Sequence, residues 1–394
     1  MRRRRILVLF ADEWDRAACR DCGEGFEYFF EGFDLFHFPD NARLFTFDVL
    51  AFAERLVRRY RAAGLAGVVT ADEQFGSIAA ALVAERLGLA HTPLKAILTA
   101  QHKYQARRAI ERVLPEANPR YGLISRDFRR TGESPLPFPF YVKPVKATFS
   151  VLARRVDSFA DLDRHLRFSW FEQAIIERLV RPYADAMRKY THFQEEPFSM
   201  IAEELIDGQQ VTVNGFAHEG RVTMLGVVDT VMYPGTDQFQ RFQYPSAVPE
   251  PLLARAEEVT RTVLAAVGFT HGVFNVELRL CERSGHVKVI EINPRASGQF
   301  FDLFEQVDGY NLFAAMLALA TGRQPEIRRR QGRNRIAASF VLRDLRGEGL
   351  SRWPRRGKSS ACGSAIPRRG CRSTRSAAPA CAASSSGWEA TATR

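Results

Sequence analysis

A small α/β unit followed by an α+β body is the architecture predicted by three features of this 394-residue sequence. Near the N-terminus, short apolar runs alternate with helical stretches, the pattern of a sheet flanked by helices. Beyond residue 140, strand-like runs come at hairpin spacing, around 200 to 230 and 273 to 293, which predicts antiparallel sheets covered by helices. Past about Leu350 hydrophobic periodicity stops.

Ile6 to Phe10 reads as a buried strand and Gly67 to Thr70 as another, the latter followed by a helix over Ser77 to Leu87 that Gly88 terminates. Phe26, Phe29, Phe30 and Phe33 recur at helical spacing, predicting a helical core stripe rather than an aromatic ligand site. Cys19 and Cys22 form a C-x-x-C with no second pair or histidine motif to complete a metal site, so a structural role is expected. Leu98 to Leu114 reads as one polar, basic helix, Gly132 to Pro139 as a linker, and Phe140 to Val145 as the start of a new strand. The expected division is an N-terminal domain over 1–97, a second domain over 98–322, a remnant of a C-terminal segment over 323–350, and a tail over 351–394.

An apolar share of 46% and a charged share of 26% are those of a soluble globular chain. No apolar run approaches the roughly 20 residues of a membrane helix. Ile6 to Ala11 is too short for a signal-peptide core, so a cytoplasmic protein without a membrane partner is expected. The net charge of +11 is concentrated in the tail, where Arg346 to Arg394 holds ten Arg/Lys against two Asp/Glu. The rest carries only +3, which Arg2 to Arg5 more than supply, leaving no basic face for nucleic acid. Cys362, Cys371 and Cys381 also lie in the tail, whose Arg, Ser, Ala, Gly and Pro cannot bury a core. It reads either as a natural disordered basic tail or, in the preferred reading, as a reading frame lost near residue 350.

The most informative segment is 273 to 293. Val273 to Arg279 and Val289 to Asn293 both alternate apolar and polar, and Ser284-Gly285 marks a turn between them. A hairpin symmetric about Ser284 sets Glu277 across from Glu291 and Asn275 across from Asn293. Opposed like charges destabilise a sheet, and a divalent cation with oxygen ligands compensates them. Mg²⁺ takes carboxylates at about 2.0 to 2.1 Å and completes its shell with phosphate oxygens and water. Pro294-Arg295 then brings a fixed positive charge to the strand end. The plain alternative is an exposed hairpin whose glutamates pair with Arg279 and Lys288.

No G-x-x-x-x-G-K-[ST] loop occurs, and Gly23-x-Gly25 is followed by Tyr28 where a dinucleotide fingerprint needs a third glycine. Four elements do occur in order: Lys103 in a basic helix, Lys143 on a strand before a proline, E-E-L-I-D-G-Q-Q-V-T-V over Glu203 to Val213, and Glu277 with E-I-N-P-R over Glu291 to Arg295. Over about residues 67 to 322 this order resembles the ATP-grasp superfamily, in which two α+β subdomains clasp ATP. The resemblance implies that Lys103 and Lys143 contact ATP phosphates, as compact point charges can. It also implies that Glu203 accepts from the adenine amine while backbone groups at Glu204 and Ile206 read the ring edge. Glu277, Glu291 and Asn293 would ligate Mg²⁺ (or Mn²⁺), and Arg295 would hold the transferred phosphate or the acyl-phosphate. Two departures stand out. Gln210 occupies the place of a ribose-binding glutamate, and the loop after Lys143 is Lys146-Ala147-Thr148-Phe149-Ser150 where relatives are glycine-rich; Lys146 partly compensates.

The reaction implied is ATP-dependent activation of a small-molecule carboxylate as an acyl-phosphate that an amine attacks, with catalysis by Lys143 and Arg295 through charge neutralisation. The alternatives are a biotin-carboxylase- or carbamoyl-phosphate-synthase-like enzyme and a nucleotide-binding protein without turnover. A-S-G-Q-F after Arg295 argues against a carboxylase, having no glutamate or histidine to handle bicarbonate. A homodimer is left open.

Overall fold

The computed structural model describes residues 3–22, 25–35, 37–125, 127–147, 152–236 and 238–341. Strands β1 (Arg4–Leu9), β2 (Phe26–Glu31) and β3 (Leu65–Val69) form a parallel sheet ordered β2-β1-β3. Parallel neighbours need crossovers, and helices α1 (Glu13–Asp21) and α2 (Val49–Tyr60) run in them. Asp12 starts α1 with a capping box, and Asp48 accepts from Leu50 and Ala51 to start α2. Both faces of β1 are covered, Leu7 and Leu9 by one apolar cluster and Ile6 and Val8 by another.

The phenylalanine stripe at 26 to 33 serves the core, but as a strand. Phe26, Tyr28 and Phe30 pack on one cluster while Phe29 and Phe33 pack on the other, the period-two alternation of a pleated strand that aromatic residues favour. Cys19 is buried beside them and Cys22 packs on the same cluster. Burial pushes the two thiols up to about 12 and about 11, which keeps them inert.

Helix α3 (Gly76–Leu87) ends at Gly88 in the left-handed conformation, as its sequence predicts. The single helix expected over 98 to 114 is two, α4 (Leu94–Gln101) and α5 (Lys103–Val113). His102, at φ −93° and ψ 99°, breaks the helix and caps α5, its Nδ1 accepting from the Gln105 amide at 3.3 Å. The boundary expected between 97 and 98 therefore falls inside α4. One apolar cluster runs from Leu7 and Leu9 through Ile97 and Leu98 to Val263 and Val276, so the N-terminal sheet shares its core with the α+β body.

Strands β4 (Tyr121–Leu123), β5 (Phe140–Pro144), β6 (Arg154–Val156) and β7 (Met200–Glu204) make an antiparallel sheet ordered β4-β7-β5-β6. Helices α6 (Phe128–Thr131), α7 (Phe159–His165) and α8 (Trp170–Tyr190) lie between them in sequence. A second antiparallel sheet contains β8 (Gln209–His218), β9 (Arg221–Met232), β10 (Phe239–Tyr244), β11 (Gly272–Leu280), β12 (Val287–Asn293) and β13 (Ala337–Phe340), ordered β12-β11-β8-β9-β10-β13. Helix α9 (Glu250–Val267) precedes β11, and α10 (Phe301–Asp308) and α11 (Leu312–Ala320) come after β12. Within the 200 to 230 region only β8 and β9 form a hairpin; β7 belongs to the other sheet, so Leu205 to Gly208 cross between the two. The expected disordered or frame-shifted tail lies outside the described residues. Among those described, no helix is long and apolar enough to cross a membrane.

Candidate active site

The β11–β12 hairpin has the register its symmetry predicts where it matters, with Asn275 paired to Asn293 and Glu277 to Glu291. Towards the turn the register slips by one, Leu278 facing Val289, so Ile290 is an extra residue in the edge strand. Asn293 Nδ2 donates to Asn275 Oδ1 at 2.8 Å and leans on Glu291 Oε1 at 3.3 Å. Gln210 on β8, registered with Arg279 and diagonal to Glu277, donates through Nε2 to Glu277 Oε2 at 2.9 Å. The amide expected to meet a ribose thus bonds a carboxylate of the acidic pair.

Burial and the neighbouring Glu291 carboxylate push Glu277 up to about 8. Burial also acts upward on Glu291, but Lys103 and Lys143 outweigh it and hold this carboxyl down at about 2. Of the two opposed carboxyls Glu277 is therefore the one biased toward its protonated form, and a cation bound between them would compete with that proton.

Four cations surround the pair. Lys103, the first residue of α5, places Nζ 3.3 Å from Glu291 Oε2 and 3.1 Å from the Ala147 carbonyl. Lys143 on β5 is buried with Nζ 2.8 Å from Glu203 Oε2, and its ammonium is pulled down by burial against the upward pull of Glu203. Lys146 is 1% exposed, and among the described residues its Nζ finds no hydrogen-bond partner, only the Tyr183 ring at 5.7 Å. Burial lowers it to about 8. Arg295 bonds Glu73 through Nε at 3.0 Å and through a second, shorter contact. Burial acts downward on that guanidinium, and the Glu73 carboxylate more than offsets it.

Glu203 differs from its expected role. Both of its oxygens are taken, Oε1 by Arg107 Nε at 2.8 Å and Oε2 by Arg107 at 3.0 Å and by Lys143. The carboxyl is fully buried, yet against that burial Arg107 and Lys143 hold it down at about 2. Its side chain is therefore part of a buried ion cluster rather than a free acceptor at the crossing. Glu204 is drawn outward to Arg120 at 2.8 Å, and Ile206 sits half-buried in the crossing beyond it.

Arg107 and Glu73 escape sequence reasoning. Arg107 stands one turn after Lys103 and one before Ile110, on the same helix face, and that placement in an otherwise solvated-looking helix was its only signal. Glu73 lies just past β3 and has no local signal, being 222 residues from the arginine it meets.

These groups fit a divalent cation with a polyphosphate. Glu277 and Asp72 are both pushed toward their neutral forms by burial, and a buried ammonium has no hydrogen-bond partner among the described residues. Among the described residues no three His, Cys, Asp or Glu cluster to hold a metal by themselves.

Residues 136–302 match the sequence profile of a family described as "ATP-grasp domain". The chain contains an ATP-grasp domain. Carnosine synthase 1 from Gallus gallus is 26% identical to it over 313 residues, 76% of this chain; the chain spans only 32% of that relative's length. In fold, the chain resembles the L-amino acid ligase from Bacillus licheniformis, with a TM-score of 0.63 at 18% identity, covering 87% of this chain and 81% of that one. It also resembles N5-carboxyaminoimidazole synthetase from Staphylococcus aureus complexed with ADP, with a TM-score of 0.60 at 12% identity, covering 86% and 82%.

Proposed function

We propose that this ATP-grasp protein is an ADP-forming ligase that joins a small-molecule carboxylate to an amine, using ATP and Mg²⁺ or Mn²⁺. The observation that carries the reading is the Glu277–Glu291 pair inside a ring of cations, one of which, Lys146, is buried with no hydrogen-bond partner among the described residues. A polyphosphate with a divalent cation satisfies both features at once. The amino acid ligase and carnosine synthase likenesses point to the same class of carboxylate and amine.

In this reading Glu277, Glu291 and Asn293 would hold the metal, with Gln210 orienting Glu277. Lys103 and Lys146 would bind phosphate oxygens, and Lys143, braced by Glu203, would neutralise charge on the group in transfer. Arg295, kept oriented by Glu73, would face the activated carboxylate. The backbone of Glu204 to Ile206 would receive the adenine, while Glu203 anchors the crossing from inside. Bound Mg·ATP supplies the phosphoryl group that turns the carboxylate into an acyl-phosphate open to the amine.

ADP release measured with Mg·ATP and mixtures of amino acids tests this. Release that needs both a carboxylate and an amine is the expected result. A requirement for bicarbonate would replace it with a carboxylase-type reaction, and nucleotide binding without ADP release in any mixture would leave a binding protein.

A further inference from the structure

We propose that Arg107 is a positioning residue of this site: its guanidinium holds the β12 bulge that sets Glu291 opposite Glu277 and, through Glu203, ties that bulge to Lys143. The proposal rests on the metal role proposed for the glutamate pair. The pairs Leu280–Val287, Arg279–Lys288 and Leu278–Val289, continued without interruption, would put Ile290 across from Glu277 and Glu291 across from Val276. A one-residue slip turns a side chain to the opposite face, so that register would remove Glu291 from the site. The extra residue Ile290 prevents it, and an extra residue leaves backbone groups unpaired. Two consecutive carbonyls on this edge strand, those of Val289 and Ile290, accept from Arg107 at 2.6 and 2.7 Å. The remaining N–H groups reach both oxygens of Glu203 and, at 3.4 Å, Asn118 Oδ1. Asn118 Nδ2 in turn donates to the Arg107 carbonyl at 2.9 Å. All five donors of a 2%-exposed guanidinium are thus spent on the crossing-strand glutamate, the bulge and one brace. A lysine carries the charge but cannot span that fork.

The test is Arg107→Lys, read three ways: thermal melting, hydrogen exchange of the β12 amides, and the affinity of Mn²⁺ measured by electron paramagnetic resonance with ADP present. The expected result is faster exchange over residues 289–293 and Mn²⁺ binding weakened about 10-fold or more, the usual cost of losing a group that orients a metal ligand. Lower melting with unchanged exchange at 289–293 and unchanged Mn²⁺ affinity would overturn the proposal and leave Arg107 a core brace. Should Arg107→Lys not fold, Asn118→Ala decides, with the same direction of change expected and no change overturning. Failure of wild-type protein to bind Mn²⁺ with ADP would instead sink the metal assignment itself.

Discussion

Glu277 and Glu291 make the clearest single-residue predictions. Glu291→Gln removes a proposed ligand but also the repulsion that, with burial, lifts Glu277, so Mg²⁺-dependent ATP turnover should vanish while the chain still folds. Retained turnover would exclude Glu291 from the metal site. The pH dependence has a definite sign. The folded-state pKa of Glu277 is raised from 4.5 to about 8, so its contribution to stability is complete below pH 4.5 and is lost as pH rises through about 8. Glu291, lowered to about 2, acts in the opposite window, its contribution being lost only as pH falls from 4.5 toward 2. Lys146, lowered to about 8, favours the folded state again only above that pH. Melting measured from pH 5 to 8 without metal should therefore fall, and either Mg²⁺ with ADP or Glu291→Gln should flatten the slope. A slope unchanged by both would mean the pair is not the source. Lys143→Ala should weaken nucleotide binding by about 10-fold or more, since a charge-assisted bond is worth roughly 1.5 to 3 kcal/mol. Lys103→Arg keeps a cation beside Glu291 and should do much less. Equal, small effects in a nucleotide titration would reduce Lys143 to a brace for Glu203.

The crossing from β7 to β8 is where the two sheets meet, and Gly208 makes it passable. It sits at φ +106°, and a Cβ there would lie 2.3 Å from the Leu280 carbonyl oxygen. Arg279 donates to the Gly208 carbonyl at 2.8 Å, so the end of β11 and the crossing are held together. Gly208→Ala must push them apart, costing roughly 1 to 3 kcal/mol for a forced backbone conformation. Because Glu203 and Ile206 lie in or beside this crossing, nucleotide affinity should fall together with stability. A denaturant melt paired with an ADP titration would check it, and a loss of stability with unaltered affinity would place the adenine elsewhere.

For the molecule as a whole, the informative cuts are near the C-terminus. Strand β13 pairs with β10 over Ala337 to Phe340, and Val341 is buried against the cluster that holds Phe300 and Phe304. A chain ending at Leu350 keeps both contacts, and the composition beyond it cannot bury a core. Such a chain should melt within a few degrees of the full one and bind ATP as well. Ending at Asn334 instead bares the edge of β10 and the apolar surface under Val341, and should lower the melting temperature and promote aggregation. If the shorter chain were as stable as the longer, β13 would be dispensable decoration; if the cut at Leu350 destabilised, the tail would be part of the fold.

Local pattern was enough to place the strands near Ile6, Phe140 and 273 to 293, the Gly88 stop and the opposed glutamates, because side-chain alternation and turn chemistry are properties of a few neighbouring residues. The ordered lysines and E-I-N-P-R carried the family for the same reason. Three things needed the folded chain. The phenylalanines at 26 to 33 satisfy helical spacing and strand alternation alike, and only packing between two clusters selects the strand. At His102 the backbone leaves the helical region and the ring caps α5, which overrides a continuous helical pattern. The partners of the charged groups, Arg107 for Glu203, Gln210 for Glu277 and Glu73 for Arg295, are separated by 96, 67 and 222 residues. Electrostatic partnership is decided by distance in space and by burial, neither of which a linear pattern encodes, so candidate residues could be named from the chain while their partners, Arg107 and Glu73 among them, could not.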